Sequence, residues 1–120
     1  MIERKSFNDD AIIEVIFSGR VDVASREEVR AILHQAVADA GQTVLANLHN
    51  VPLIDSSGLS ALVSGLRAAR EQGKDLVISG LNKQAQMVFS LTMMDKVFRV
   101  FPSASAALTD LGVRNAAEEN

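Results

Sequence analysis

The sequence predicts an α/β fold, a single mixed, mostly parallel sheet of about four to five strands flanked by about four helices. Short apolar runs alternate along the chain with segments whose apolar residues recur at helical spacing. The alternation starts after two extended segments that read as a hairpin, which puts one antiparallel pair at the sheet edge. Apolar residues make up 48% of the 120, with no Trp, no Tyr and only five Phe, so aliphatic side chains must build the core.

Ile2 to Phe7 and Ala11 to Ser18 are the two extended segments, and Asn8-Asp9-Asp10 between them favours a turn. Along the second, Ile13, Val15 and Phe17 fall on one face, and Glu14 and Ser18 on the other, which is expected to meet water. Gly19-Arg20-Val21-Asp22 ends this strand. Ser25-Arg26-Glu27-Glu28 then has capping-box spacing, and Val29, Ile32, Leu33, Ala36, Val37 and Ala40 form the stripe of a first helix that Gly41 can terminate. The polar side of that helix, with Arg26, Glu27, Arg30 and Asp39, reads as solvated, and His34 as a surface or boundary residue. Thr43 to Leu48 is the next strand, with Pro52 breaking the ladder beyond it.

From Ser57 a second helix places Leu59, Leu62, Val63, Leu66 and Ala69 on one face, and Gly73 ends it. Asp75 to Ser79 is a short buried strand, so strand, helix and strand imply a parallel crossover. Gly80-Leu81-Asn82 opens a third helix through Ala85, Val88 and Leu91. Val97 to Phe101 is expected as the last strand, closed by Pro102, and Ser103 to Leu111 as a final helix. Residues 1–113 thus form one domain, and 114–120 are expected as a frayed, disordered tail.

A formal charge of −3 offers no basic field for nucleic acid or an anionic membrane surface. Without cysteine, disulfides and thiolate metal sites are excluded. Two distant histidines make no metal site, and no cofactor is expected. No apolar run approaches roughly 18 residues, so no membrane insertion is expected and the cytoplasm is the expected address.

The candidate site is the stretch Val51 to Ser60, Val-Pro-Leu-Ile-Asp-Ser-Ser-Gly-Leu-Ser. It leads from a strand into a helix. Asp55, Ser56 and Ser57 all favour an N-cap position, because their oxygens accept from backbone N–H groups left free in the first turn. Gly58 lets the backbone come close to a neighbour, and Ser57 is the expected structural cap. Free N–H groups and the positive helix end favour an anion, so a hydroxyl placed there could carry a phosphoryl group. In a parallel sheet this loop and the turn at Gly19 to Asp22 gather at the same end.

Ile54-Asp55-Ser56-Ser57-Gly58-Leu59 resembles the signature of the STAS domain family at the start of its second helix. Gly19-Arg20-Val21-Asp22 is similar to that family's Gly-x-hydrophobic-Asp turn. Leu91-Thr92-Met93-Met94-Asp95-Lys96-Val97-Phe98 resembles a later segment, with Met93 at a place that is often Gly. Within the family the pattern is similar to the stand-alone anti-sigma factor antagonists. The resemblance implies phosphorylation of Ser56 and a switch loop that includes Asp22, Asp55, Ser57 and Gly58. It also implies an anti-sigma factor that is a serine kinase with a histidine-kinase-like ATPase fold, and a serine phosphatase that resets the switch. The alternative within the family is a scaffold subunit of a stressosome-like or lipid-transport assembly, in which Ser56 is never phosphorylated.

His49 near Ser56 and Asp55 invites a serine hydrolase reading, but no Gly-x-Ser-x-Gly elbow is present, and the protein is expected not to be an enzyme. Met87, Met93, Met94, Phe89, Phe98 and Phe101 form a soft apolar group. Core packing accounts for such residues, and methionines at a surface can also adapt to a partner.

Overall fold

The computed structural model describes residues 2–114. Apart from Arg114, the expected tail lies outside the described residues. β1 (Ile2–Phe7) and β2 (Ile12–Ser18) form the expected antiparallel hairpin, with Phe7 opposite Ile12 and Ile2 opposite Phe17. Asn8, Asp9 and Asp10 take left-handed φ angles of 53°, 54° and 66°. Short polar side chains tolerate that region better than other non-glycine residues.

β3 (Thr43–Asn50), β4 (Asp75–Ser79) and β5 (Val100–Phe101) then add in parallel, giving a five-stranded sheet in the order β1-β2-β3-β4-β5. The connections are α1 (Arg26–Asp39), α2 (Ser56–Glu71) and α3 (Lys83–Leu91), with α4 (Ala104–Asp110) after β5. The larger core cluster joins Ile13, Val15, Val44, Ala46, Leu76 and Ile78 of the sheet to Leu33 of α1, Leu62 of α2 and Phe89 of α3. Burying each such leucine stabilises the fold by roughly 1.5–3 kcal/mol. α1 and α2 pack closely here, since a Cβ on Gly65 would lie 3.1 Å from Leu33 Cβ.

Four expectations change. The second face of β2 does not meet water: Ile12 and Glu14 are 2% and 1% exposed. α4 covers that face, with Ala104, Ala107 and Leu108 packed on Ile12, Leu45 and Val77, and Asn47 Nδ2 donates to Glu14 Oε2 at 2.9 Å. Ser25 precedes α1 but makes no capping hydrogen bond. Its φ, ψ of −101°, −3° are already near helical, and its hydroxyl instead accepts from Asp22 N and donates to Arg20 O.

Gly41 does not end α1, whose last cap is Ala40 in extended conformation. Its role is space, because a Cβ there would lie 3.3 Å from Ala11 Cα, and its N–H donates to Asp10 O. The last strand is shorter than expected. Met93 turns left-handed at φ 63°, a 3-10 turn follows over Met94–Lys96, and Val97 stays helical, so only Val100 and Phe101 reach the sheet. Left-handed backbone at Met93 explains why glycine suits that place. Phe98 closes the turn against Phe89, ring centroids 5.6 Å apart.

Candidate functional site

The loops after β2 and β3 meet at one end of the sheet, as parallel pairing of those strands requires. Val21 and Ile54 form an isolated parallel bridge, Val21 N–H donates to Leu53 O at 3.0 Å, and Asp55 N–H donates to Val21 O at 3.3 Å. The sequence permits this contact at one point above all. A Cβ on Gly58 would lie 1.9 Å from Val21 O and 2.5 Å from Val21 C, so only glycine lets α2 start against that backbone.

Asp55 caps α2. Its backbone is extended, and its Oδ1 accepts from Gly58 N–H at 2.8 Å. The other oxygen, Oδ2, accepts from Val23 N–H at 3.3 Å, which ties the helix start to the neighbouring loop. Asp22, half-buried, organises that loop: its Oδ1 accepts from Ala24 N–H at 3.0 Å and Ser25 N–H at 3.2 Å.

Ser57 is therefore not the cap. The helix begins one residue earlier than the apolar stripe suggested, leaving Ser57 half-buried as its second residue and Ser56 exposed as its first. Among the described residues the Ser56 hydroxyl has no hydrogen-bond partner, so nothing in its own domain competes for it.

Two further residues hold the loop, and neither stood out in the sequence. Gln84 of α3 reads Ile54 as a strand neighbour would, since Ile54 N–H donates to Gln84 Oε1 at 3.0 Å and Gln84 Nε2 donates to Ile54 O at 2.8 Å. Asn82 Nδ2 donates to Pro52 O at 3.0 Å while its Oδ1 caps α3 at Ala85 N–H. Asn82 was expected only as part of the opening of α3. The Gln84 contact joins residues 30 apart and leaves no local signal.

Ser56 opens into a groove of about 580 Å³ between α1 and α2, lined also by Arg26, Glu27, Arg30, Ser60, Ser64, Arg67, Thr92 and Met94. Ser64 crosses the groove floor, with Arg30 Nε donating to its Oγ at 3.2 Å and His34 Nε2 at 2.9 Å from it. The α1 face read as solvated thus turns part of its charge toward α2. His49 does not line this groove. It sits exposed at the end of β3, where a Cβ on Gly80 would fall 2.9 Å from its N.

The Met and Phe group splits. Phe89 and Phe98 are core residues, whereas Met87 and Met93 are 63% and 55% exposed. Among the described residues no group of three His, Asp or Glu could hold a metal ion, and no helix is long and apolar enough to cross a membrane.

Residues 5–107 match the STAS domain family. The chain is 30% identical over 91 residues to the anti-sigma-B factor antagonist of Staphylococcus aureus strain NCTC 8325 / PS 47, covering 76% of this chain and 84% of that one. Its fold is similar to an anti-sigma factor antagonist from Mycobacterium paratuberculosis, with TM-score 0.78, 23% identity and 96% of each chain covered. It is also similar to an anti-sigma-factor antagonist (STAS) domain protein from Planctomyces limnophilus, with TM-score 0.79, 19% identity, and 92% and 97% covered.

Proposed function

We propose, for a chain that belongs to the STAS domain family, that it acts as a cytoplasmic anti-sigma factor antagonist rather than an enzyme. Unphosphorylated, it binds and sequesters an anti-sigma factor that is also a serine kinase, through the loops carrying Asp22, Asp55, Ser57 and Gly58. Phosphorylation of Ser56 ends that binding, and a serine phosphatase restores it. The similarity to the named anti-sigma-B factor antagonist over most of both chains supports the partner class.

The observation that carries the switch is the state of Ser56. It is exposed at the first position of α2 with no hydrogen-bond partner among the described residues, beside a loop that Gly58, Asp55 and Gln84 tie down. In phosphoryl transfer the Ser56 oxygen attacks the γ-phosphorus of ATP on the kinase, the bond to ADP breaks, and the hydroxyl proton leaves to a kinase base. The product carries roughly 1.5 to 2 additional negative charges at a helix N-terminus, which the domain itself tolerates. In a docked interface the same charge must be desolvated close to Asp22 and Asp55, which repel it.

Titration of Ser56→Ala and Ser56→Asp against the cognate kinase tests the reading. Tight binding of the first and weak binding of the second is expected, and indistinguishable affinities would overturn the switch. Site-resolved phosphopeptide mass spectrometry on protein from its own host should show phosphate on Ser56 that varies with condition. A bare Ser56 under every condition with a stable partner co-purifying would favour the scaffold role instead.

A further inference from the structure

α1 and α2 follow parallel strands and begin at the same end of the sheet, so the two helices run in the same direction. Arg30 is level with Ser64, to which its Nε donates. At about 6 Å per four residues along a helix, Arg26 lies four residues nearer the start of α1 than Arg30, and Ser60 and Ser56 lie four and eight residues nearer the start of α2 than Ser64. Long side chains on helices lean toward the N-terminus, the direction in which Ser56 lies from both arginines. All three residues line the one groove.

These arginines are lightly engaged. Arg26 pairs with the next residue, Glu27, at 3.3 Å with both side chains about half or more in solvent, and such a pair is weak. Arg30 uses Nε on Ser64, leaving terminal N–H groups whose planar fork suits a phosphate. The other charges lining the groove are Glu27 and Arg67; Asp22 and Asp55 belong to the loops before α1 and α2, and His34 Nε2 lies 2.9 Å from Ser64 Oγ.

We propose that the α1–α2 groove is a receptacle for phosphorylated Ser56, in which Arg26 and then Arg30 close on the phosphate and clamp α1 to the start of α2. The phosphate is drawn into the groove next to the docking loops, so the modified protein changes the α1–α2 face beside them as well as gaining charge. This rests on Ser56 being the modified residue, and it concerns where the phosphate goes.

Phosphoserine inserted at position 56 by amber suppression tests the receptacle without any kinase, so its failure is separate from a failure of partner binding. Phosphorus NMR titration reads the second phosphate pKa, alongside the Arg Nε–H resonances. A pKa lower by about 0.5 unit or more than in the Arg26→Gln/Arg30→Gln variant, with phosphorylation-dependent shifts of the Arg26 and Arg30 Nε–H signals, is expected. The Arg26→Lys/Arg30→Lys variant should retain only part of that difference, because lysine keeps charge without the fork. Identical titration of wild type and the glutamine variant would overturn the proposal, and so would full retention by the lysine variant, which would reduce the effect to a field without contact. All four substitutions are at exposed positions, and unchanged backbone spectra of the unmodified variants confirm folding.

Discussion

A Cβ on Gly58 would lie 1.9 Å from the carbonyl oxygen of Val21, the residue that also bridges to Ile54 and accepts from Asp55 N–H. The start of α2 and the loop after β2 are thus one rigid unit.

Gly58→Ala must push two backbones apart, and no flexible side chain can yield in their place. A loss of about 3 kcal/mol or more is expected, read as a lower urea midpoint, with amide shift changes centred on Val21 and Asp55.

Asp55→Ala removes the cap on Gly58 N–H and the tie to Val23 N–H together. Loss of a cap of this kind costs about 1–2 kcal/mol. Both amides should exchange faster in hydrogen-exchange NMR. Asp55→Asn keeps an oxygen for the cap and should cost less.

Gln84→Ala leaves the N–H and carbonyl of Ile54 without their side-chain partners. A cost of about 1–3 kcal/mol is expected for unmet groups in a partly buried loop. The Ile54 amide should lose protection while the core strands keep theirs, and partner affinity should fall because the loop must then be ordered on binding.

Ser56→Ala should leave stability within about 0.5 kcal/mol of wild type, because an exposed hydroxyl without a partner contributes little. Thermal unfolding checks this, and it allows any binding effect of the substitution to be assigned to the interface.

Asp39 is held below the ordinary carboxylate range, first by a hydrogen bond from Arg4 and then by one from Gln35. Its folded-state value lies below the unfolded one, so its contribution is complete above the unfolded value near 3.8 and fades as pH falls through the lower folded value. The stability gap between wild type and Asp39→Asn should therefore be small and positive at neutral pH and shrink below about pH 4. Because the pair is exposed, added salt should shrink it too.

Element types and order were readable from the chain because burial imposes a period of two on strands and 3.6 on helices, and turn residues separate them. The hairpin, the helices and the glycine stop at Gly73 all rest on such local signals. The candidate loop was legible for the same reason, since Asp, Ser, Ser and Gly before an apolar stripe state their own capping chemistry.

Tertiary structure decided what depends on a distant neighbour. Glu14 looked solvent-facing because alternation along β2 cannot reveal that α4 comes back to cover it. Ser25 fitted a capping box, yet the Asp22 turn claimed its hydroxyl. The sequence alone determined that a serine would stand at a helix start beside an aspartate and a glycine. Only the packed structure decided that Asp55 caps while Ser56 stays free, that Gln84 pins the loop from 30 residues away, and that Arg26 and Arg30 share its groove. Local propensity acts over one helical turn, whereas contacts between elements exist only once the sheet has set their separation.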